Sequence, residues 1–236
     1  MNLSLEILFA ENLVDSKEIP IIINNRNRLE FLKKLINSLE IRGYKNIYIL
    51  DNSSNFEPLL EFYKFDCNYP VIQLGSNLGH LALWKSNFFK RIKRNYYVYT
   101  DSDIEISNEC PDDFLDIFRS SMIENSKVQK IGIYLKYDDL PDHYALKAKV
   151  KNWESMLYKR KYNQNYYISK VDTTFALYRP FYSGGAHEFH LSLRSSEPFS
   201  ARHLPWYNNS NNLSLEERHY ILNSHTSTFW TKQSTR

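Results

Sequence analysis

Only two cysteines occur in the 236 residues, Cys67 and Cys110, and they lie far apart. A disulfide framework or zinc ribbon needs more, so the sequence predicts two reduced core thiols in a cytosolic protein. Glycine is scarce as well, six in all. No Gly-x-Gly-x-x-Gly follows the first predicted strand, which argues against a Rossmann oxidoreductase. No Gly-x-x-x-x-Gly-Lys occurs, which excludes a phosphate-loop NTPase. No stretch approaches 18 uninterrupted apolar residues, so no transmembrane helix is predicted. Residues 1–10 lack the basic start of a signal peptide. An excess of one charge is missing too: 30 basic against 27 acidic residues leave +3. That is no nucleic-acid footprint, which would be a concentrated basic face. Asn-x-Ser/Thr triplets at Asn2, Asn52, Asn208 and Asn212 read as accidents of an Asn-rich cytosolic chain.

What is present is core material. The chain is 42% hydrophobic and 24% charged, which rules out a disordered, collagen-like or channel protein. Its length suits one domain over 1–236. Aromatics make up 15%, enough for flat amphipathic surfaces as well as a core. Residues 19–24, with three consecutive Ile, predict a strand buried on both faces. A helix follows, with Asn27 and Glu30 close to a capping box, an apolar stripe of Leu32, Leu35, Ile36 and Leu39, and Gly43 at its end. Further strands are predicted at 46–50, 71–74 and 96–100, separated by a short helix opened by Pro58 and a longer one over 80–94. This alternation predicts an open, mainly parallel α/β sheet with right-handed crossovers. The second half is less regular. It predicts a short strand at Ile104 and Ile106, a helix opened by Pro111, a strand over 128–135 and a helix over 141–162 with Leu146, Val150, Trp153 and Leu157 on one face. A strand pair or bent strand over 166–178, a loop at 208–214, a helix over 215–222 and an edge strand over 226–231 complete it.

Open α/β sheets bind ligands beyond the carboxyl ends of their strands. Every such end is polar here: Asn24, Asn25 and Arg26, then Asp51, then Asn77 to Gly79 with His80, then Asp101, Ser102 and Asp103. Asn and Asp can hydrogen-bond a base edge or ribose. Gly79 allows close backbone approach. Asp101 and Asp103 can face one volume if the chain turns at Ser102. Two anions held close repel unless a cation lies between them, and oxygen ligands suit Mg²⁺ or Mn²⁺. The other reading is a solvated turn with two acids.

The segments Pro20–Arg26, Tyr48–Ser54, Asn77–His80 and Tyr99–Asp103 resemble, in order and spacing, the family 2-type nucleotide-sugar glycosyltransferases of the GT-A fold. The resemblance covers roughly residues 18–106, under half the chain. It implies a Rossmann-like nucleotide-sugar half over about 1–106 and an irregular acceptor half over about 107–236. It implies that Asn24 to Arg26 and Asp51 contact the nucleotide, and that Asp101 and Asp103 hold ribose and metal. Uridine is the commonest nucleotide of the class, so a UDP-sugar donor with Mn²⁺ or Mg²⁺ is expected by analogy. A surface polysaccharide or lipid-linked oligosaccharide is the acceptor expected. The usual Glu-Asp pair ahead of the acceptor is absent after residue 106. His203 resembles the C-terminal metal ligand of many such enzymes.

The mechanism expected is inverting. Asp101, Asp103 and His203 hold a cation against the donor diphosphate, and Arg202 or Arg194 adds positive charge. Asp172 is the first candidate for general base and Glu188 the second. Each has a bland alternative. Asp172 can cap a turn or pair with an Arg, and His203 can be structural. His187 and His190 flank Glu188, but Gly184 and Gly185 make a zinc site there a poor reading. Trp206 and Tyr207 can stack on a sugar or close the core. The basic, aromatic helix over 141–162 can lie over the acceptor, touch anionic lipid headgroups, or present a solvated face. Rivals from other classes are a nucleotidyltransferase and an inactive sugar- or nucleotide-binding module.

Overall fold

The structure, a computed structural model, describes residues 15–184 and 190–224. Glu188, His187 and the strand expected over 226–231 lie outside the described residues.

The first half alternates as the sequence predicts. Strand β1 (Ile21–Asn25) leads to helix α1 (Glu30–Glu40), β2 (Ile47–Asp51), α2 (Glu57–Phe65) and β3 (Val71–Gln73). These three strands are parallel, with β4 (Tyr97–Asp101) parallel to β1 on its other side. The three isoleucines of β1 are fully buried because both faces of the strand are covered. Ile21 and Ile23 pack with the Leu32, Leu35, Ile36 and Leu39 stripe of α1, while Ile22 packs with Leu83, Tyr97 and Tyr99 on the opposite face. That face carries a cluster of aromatic rings. Tyr97 stacks on Tyr178 at 5.1 Å between centroids, and the Trp84 indole N–H donates to Tyr97 Oη at 2.9 Å. Gly43 takes φ +81°, a conformation L side chains resist, and ends the α1 segment as expected.

The helix expected over 80–94 is two short helices, α3 (Ala82–Lys85) and α4 (Phe89–Ile92). Ser86 is extended and its hydroxyl donates to the Leu83 carbonyl, the local competition that makes serine a weak helix former. After β5 (Ile104–Ile106) and α5 (Phe114–Glu124), the strand expected over 128–135 divides into β6 (Val128–Gly132) and β7 (Tyr134–Leu135). Helix α6 (Lys147–Leu157) is shorter than expected. Strands β8 (Tyr166–Ile168) and β9 (Ala176–Tyr178) do not pair with each other. The remaining elements are β10 (Leu191–Ser195), β11 (Ser200–His203), a 3-10 turn over Leu204–Tyr207 and α7 (Leu215–Asn223). The main sheet has eight strands in the order β3-β2-β1-β4-β9-β6-β10-β8, mostly parallel, and a small sheet runs β5-β11-β7.

The capping box expected at Asn27 and Glu30 does not form. Asn27 takes φ 54° and its side chain accepts from the Asn55 and Phe56 N–H groups. The start of α1 is instead capped from far along the chain: Glu216 Oε2 on α7 accepts from the N–H groups of Leu29 and Glu30, both at 2.8 Å. Its neighbour Glu217 pairs with buried Arg28 at 2.5 Å, and the Arg28 guanidinium lies over the Tyr220 ring. Helix α7 is thereby fastened to the first strand–helix turn. Glu217→Ala leaves the Arg28 charge buried without its partner, so a loss of about 3–5 kcal/mol is expected in urea unfolding, and a loss below about 1 kcal/mol contradicts this account of the docking.

Candidate functional site

The order β3-β2-β1-β4 reverses its direction of growth at β1, so the crevice lies beyond the carboxyl ends of β1 and β4. Register brings the polar ends together there: Asn24 lies beside Asp101, and Asn25 beside Asp51. The chain bends at Ser102 and Asp103 before entering β5, and Ser102 turns inward and is buried. Strand β11 then pairs antiparallel with β5, matching His203 to Ile104. That pairing brings a residue 100 positions away next to the acid turn: His203 Nε2 lies 3.5 Å from Asp103 Oδ1.

Charge accumulates at this point. Burial, then Asp103 and Asp172, push the Asp101 carboxyl well above the ordinary range, against hydrogen bonds from Thr173 and Asn24. Burial pulls the His203 imidazole down although Asp103 and Asp172 favour its charged form. Asp103 Oδ1 and His203 Nδ1 are buried without hydrogen-bond partners among the described residues. The two carboxylates are oxygen donors of the kind that suits Mn²⁺ or Mg²⁺. Among the described residues, however, no three His, Cys, Asp or Glu side chains are gathered tightly enough to hold an ion.

The remaining residues expected on the nucleotide side divide. Asp51 is buried, with one oxygen accepting from the Ser54 N–H and the other unpartnered. Asn24 Oδ1 is unpartnered as well. Asn25 is tied to the framework by its amide, which donates to the Arg28 carbonyl and Tyr63 hydroxyl, while its oxygen is buried without a partner too. Arg26 donates to the carbonyls of Asn52 and Asn223. Asn77 closes its own turn by accepting from the Gly79 N–H. Gly79 has open space around it and is required instead by its φ of +73°. His80 is exposed.

A cleft of about 320 Å³ adjoins the acid turn. Its walls include Asp172, Thr174, His203 and Trp206, with Trp153 and Glu154 contributed by α6. The loop before β9 joins the two regions: Thr173 donates to Asp101 Oδ2 at 3.2 Å while its neighbours Asp172 and Thr174 face the cleft. Asp172 caps its own turn by accepting from the Thr174 N–H at 3.0 Å and lies 3.7 Å from Arg194. Desolvation raises its carboxyl, but Arg194 and the Thr174 contacts outweigh this and hold it below the ordinary range. Trp206 is buried and Trp153 is half exposed.

Two expectations need correction. Arg202 does not add charge to the acid turn. Its guanidinium is held by Asp139 at 2.8 Å, and strand alternation sends it to the opposite face of β11 from His203. Arg194 is buried beside the cleft wall, between Glu154 and Asp172 at 3.5 and 3.7 Å. The sequence reading also missed Glu154, which is 3% exposed. A signal was available: Glu154 follows Val150 by four residues, a helical turn along the buried stripe. An acid there is out of place unless it serves something.

No protein-family model matches the sequence, and no curated protein does. Among solved structures, the chain is similar to Staphylococcus aureus TarS, residues 1–349, at 16% identity and a TM-score of 0.46, over 86% of this chain and 68% of that one. It is similar to GalNAc-T7 with UDP, GalNAc and Mn²⁺ at 14% identity and a TM-score of 0.49, over 83% of this chain and only 49% of that one. It is also similar to Mycobacterium tuberculosis glucosyl-3-phosphoglycerate synthase with Mn²⁺, UDP and glucosyl-3-phosphoglycerate, at 14% identity and a TM-score of 0.39, over 68% and 56%. No helix among the described residues is long and apolar enough to cross a membrane.

Burial pushes the Glu154 carboxyl up to about 7, against the pull of Arg194 and with Asp172 adding to the rise. A carboxyl raised on folding stabilises the protein fully below its unfolded value and loses that contribution as pH climbs through the folded one. Glu154→Gln carries no such proton. Relative to the native protein, the variant should therefore gain about 3 kcal/mol between pH 4.5 and pH 8. Urea unfolding of both proteins across that range checks this, and parallel pH curves contradict it.

Proposed function

We propose that the chain is a glycosyltransferase of the GT-A type, moving a sugar from a nucleotide-sugar to a hydroxyl of a saccharide or lipid-linked saccharide with inversion. The reading rests above all on one observation: the acid turn and the 320 Å³ cleft share a wall, with Thr173 bonded to Asp101 and its neighbours Asp172 and Thr174 facing the cleft. Donor diphosphate and acceptor hydroxyl can therefore meet at one point, as displacement at an anomeric carbon requires.

Asp51 and Asn24 offer unpartnered oxygens to the nucleoside. Asp101, Asp103 and His203 would hold Mn²⁺ or Mg²⁺. Bringing them together around a cation would relieve the repulsion and burial that now push the Asp101 carboxyl up. When bound, the ion supplies Lewis acidity to the departing nucleoside diphosphate. On the other side of the reacting carbon, the indoles of Trp153 and Trp206 give the cleft apolar ring faces for a sugar, and its carboxylates give hydrogen-bond acceptors. A carboxylate of the cleft takes the acceptor proton. UDP is the nucleotide proposed, and polysaccharide or glycolipid assembly the setting.

Purified protein with UDP-glucose, UDP-galactose and UDP-N-acetylglucosamine, with and without Mn²⁺, tests the reading. UDP release that requires Mn²⁺ and falls at least about 100-fold in Asp101→Asn and Asp103→Asn is expected. Release that is indifferent to both the ion and these substitutions contradicts it.

A further inference from the structure

We propose that Glu154, on helix α6, is the catalytic base that takes the proton from the acceptor hydroxyl, and that Asp172 is a positioning residue. The proposal rests on the transferase reading above and identifies one group within its acceptor cleft.

The geometry singles out Glu154. Its side chain is 5% exposed and lines the cleft, and Oε2 has no hydrogen-bond partner among the described residues. A buried carboxylate oxygen left without a hydrogen bond is costly, and the residue that carries it lines a cleft of about 320 Å³. The charged and titratable groups around it come from several elements. Arg194 on β10 lies 3.5 Å away. Asp172, in the loop before β9, faces the same guanidinium at 3.7 Å. Tyr158, just past α6, and Tyr137, after β7, interact with it electrostatically. His203 on β11 lines the same cleft.

This setting separates the two carboxylates. Asp172 is exposed, capped by Thr174 and held anionic by Arg194. It stays charged and is a poor proton acceptor. Glu154 is enclosed, and its carboxyl sits near 7, where a base both exists ionised and holds the proton it gains. Arg194 spans both acids. The Lys170 carbonyl accepts from Arg194 Nε at 2.9 Å, Asp172 adds its charge from 3.7 Å, and the guanidinium orients the Glu154 carboxylate.

The step balances. The acceptor O–H bond breaks and its proton passes to the Glu154 carboxylate. The freed oxygen pair forms the new bond to the anomeric carbon. The bond from that carbon to the diphosphate oxygen breaks, its electron pair leaving with the nucleoside diphosphate. Glu154 returns its proton to water afterwards.

The test uses the whole protein with the same three UDP-sugars and Mn²⁺, water standing in for the acceptor hydroxyl. Four proteins are compared: native, Glu154→Gln, Glu154→Asp and Asp172→Asn. Stabilisation by UDP with Mn²⁺ in thermal unfolding reports folding and donor binding independently of turnover. For Glu154→Gln the expected result is unchanged donor KM and UDP-induced stabilisation, kcat lower by about 100-fold or more, and loss of the acid limb that the native pH–rate profile shows near 7. Glu154→Asp should keep that limb at reduced rate. Asp172→Asn should keep the limb too, since its part is to orient Arg194. Turnover of Glu154→Gln within threefold of native, or a retained limb near 7, overturns the assignment while leaving the transferase reading intact, as does an acid limb lost only in Asp172→Asn. A native protein with no Mn²⁺-dependent UDP release from any donor contradicts the transferase reading and the base assignment with it.

Discussion

Negative charge is crowded at the carboxyl end of β4, and much of the surrounding architecture can be read as a response to it. Asp101, Asp103 and Asp172 face one another closely enough that burial and mutual repulsion drive the Asp101 carboxyl far up. The protein offsets only part of this. Arg194 answers Asp172, Arg28 is committed to Glu217, and His203 lies beside Asp103 but is pulled toward its neutral form by burial. A fold seeking stability alone would replace these acids with apolar residues. Their crowding at the switch point of the sheet is what the proposed cation site rests on.

Distant parts of the chain meet to build this place. The first half supplies the parallel strands whose ends converge. The second half extends the same sheet through β9, β6, β10 and β8, and its small sheet delivers His203 through the β5–β11 pairing. Helix α7 closes the arrangement by capping α1 with Glu216 and holding Arg28 with Glu217. The acid turn is joined to the cleft wall through Thr173 and Asp101, and the last described helix to the first strand–helix turn through Glu216 and Glu217, polar contacts that are costly to break singly.

The first half was the more legible in sequence, for physical reasons. Runs such as Ile21–Ile23 have no polar alternation, so they signal strands covered on both faces, and their polar ends mark the ligand edge directly. The second half yields less. Its strands are short, and β6 and β7 join different sheets within one predicted run, where a shift of one residue reverses every side chain. That parity is why Arg202 and His203, adjacent in sequence, serve opposite faces. The cap on α1 could not be read locally, since its acceptor is 186 residues away. Glu154 could have been found. The stripe Leu146, Val150, Trp153 and Leu157 runs through apolar residues only, yet Trp153 turns half outward while the acid beside it is buried.

The central claim is that the β4 acids and a nucleoside diphosphate share one cation, which makes the affinities for ion and nucleotide reciprocally dependent. Titrating the protein with Mn²⁺ while following the electron paramagnetic resonance signal of the free ion measures this directly. The account predicts weak Mn²⁺ uptake by the protein alone, and uptake at least about tenfold tighter with UDP present than either the protein or UDP gives separately. Mn²⁺ binding that is the same with and without UDP, or enhancement that survives loss of both Asp101 and Asp103 carboxylates, would contradict it.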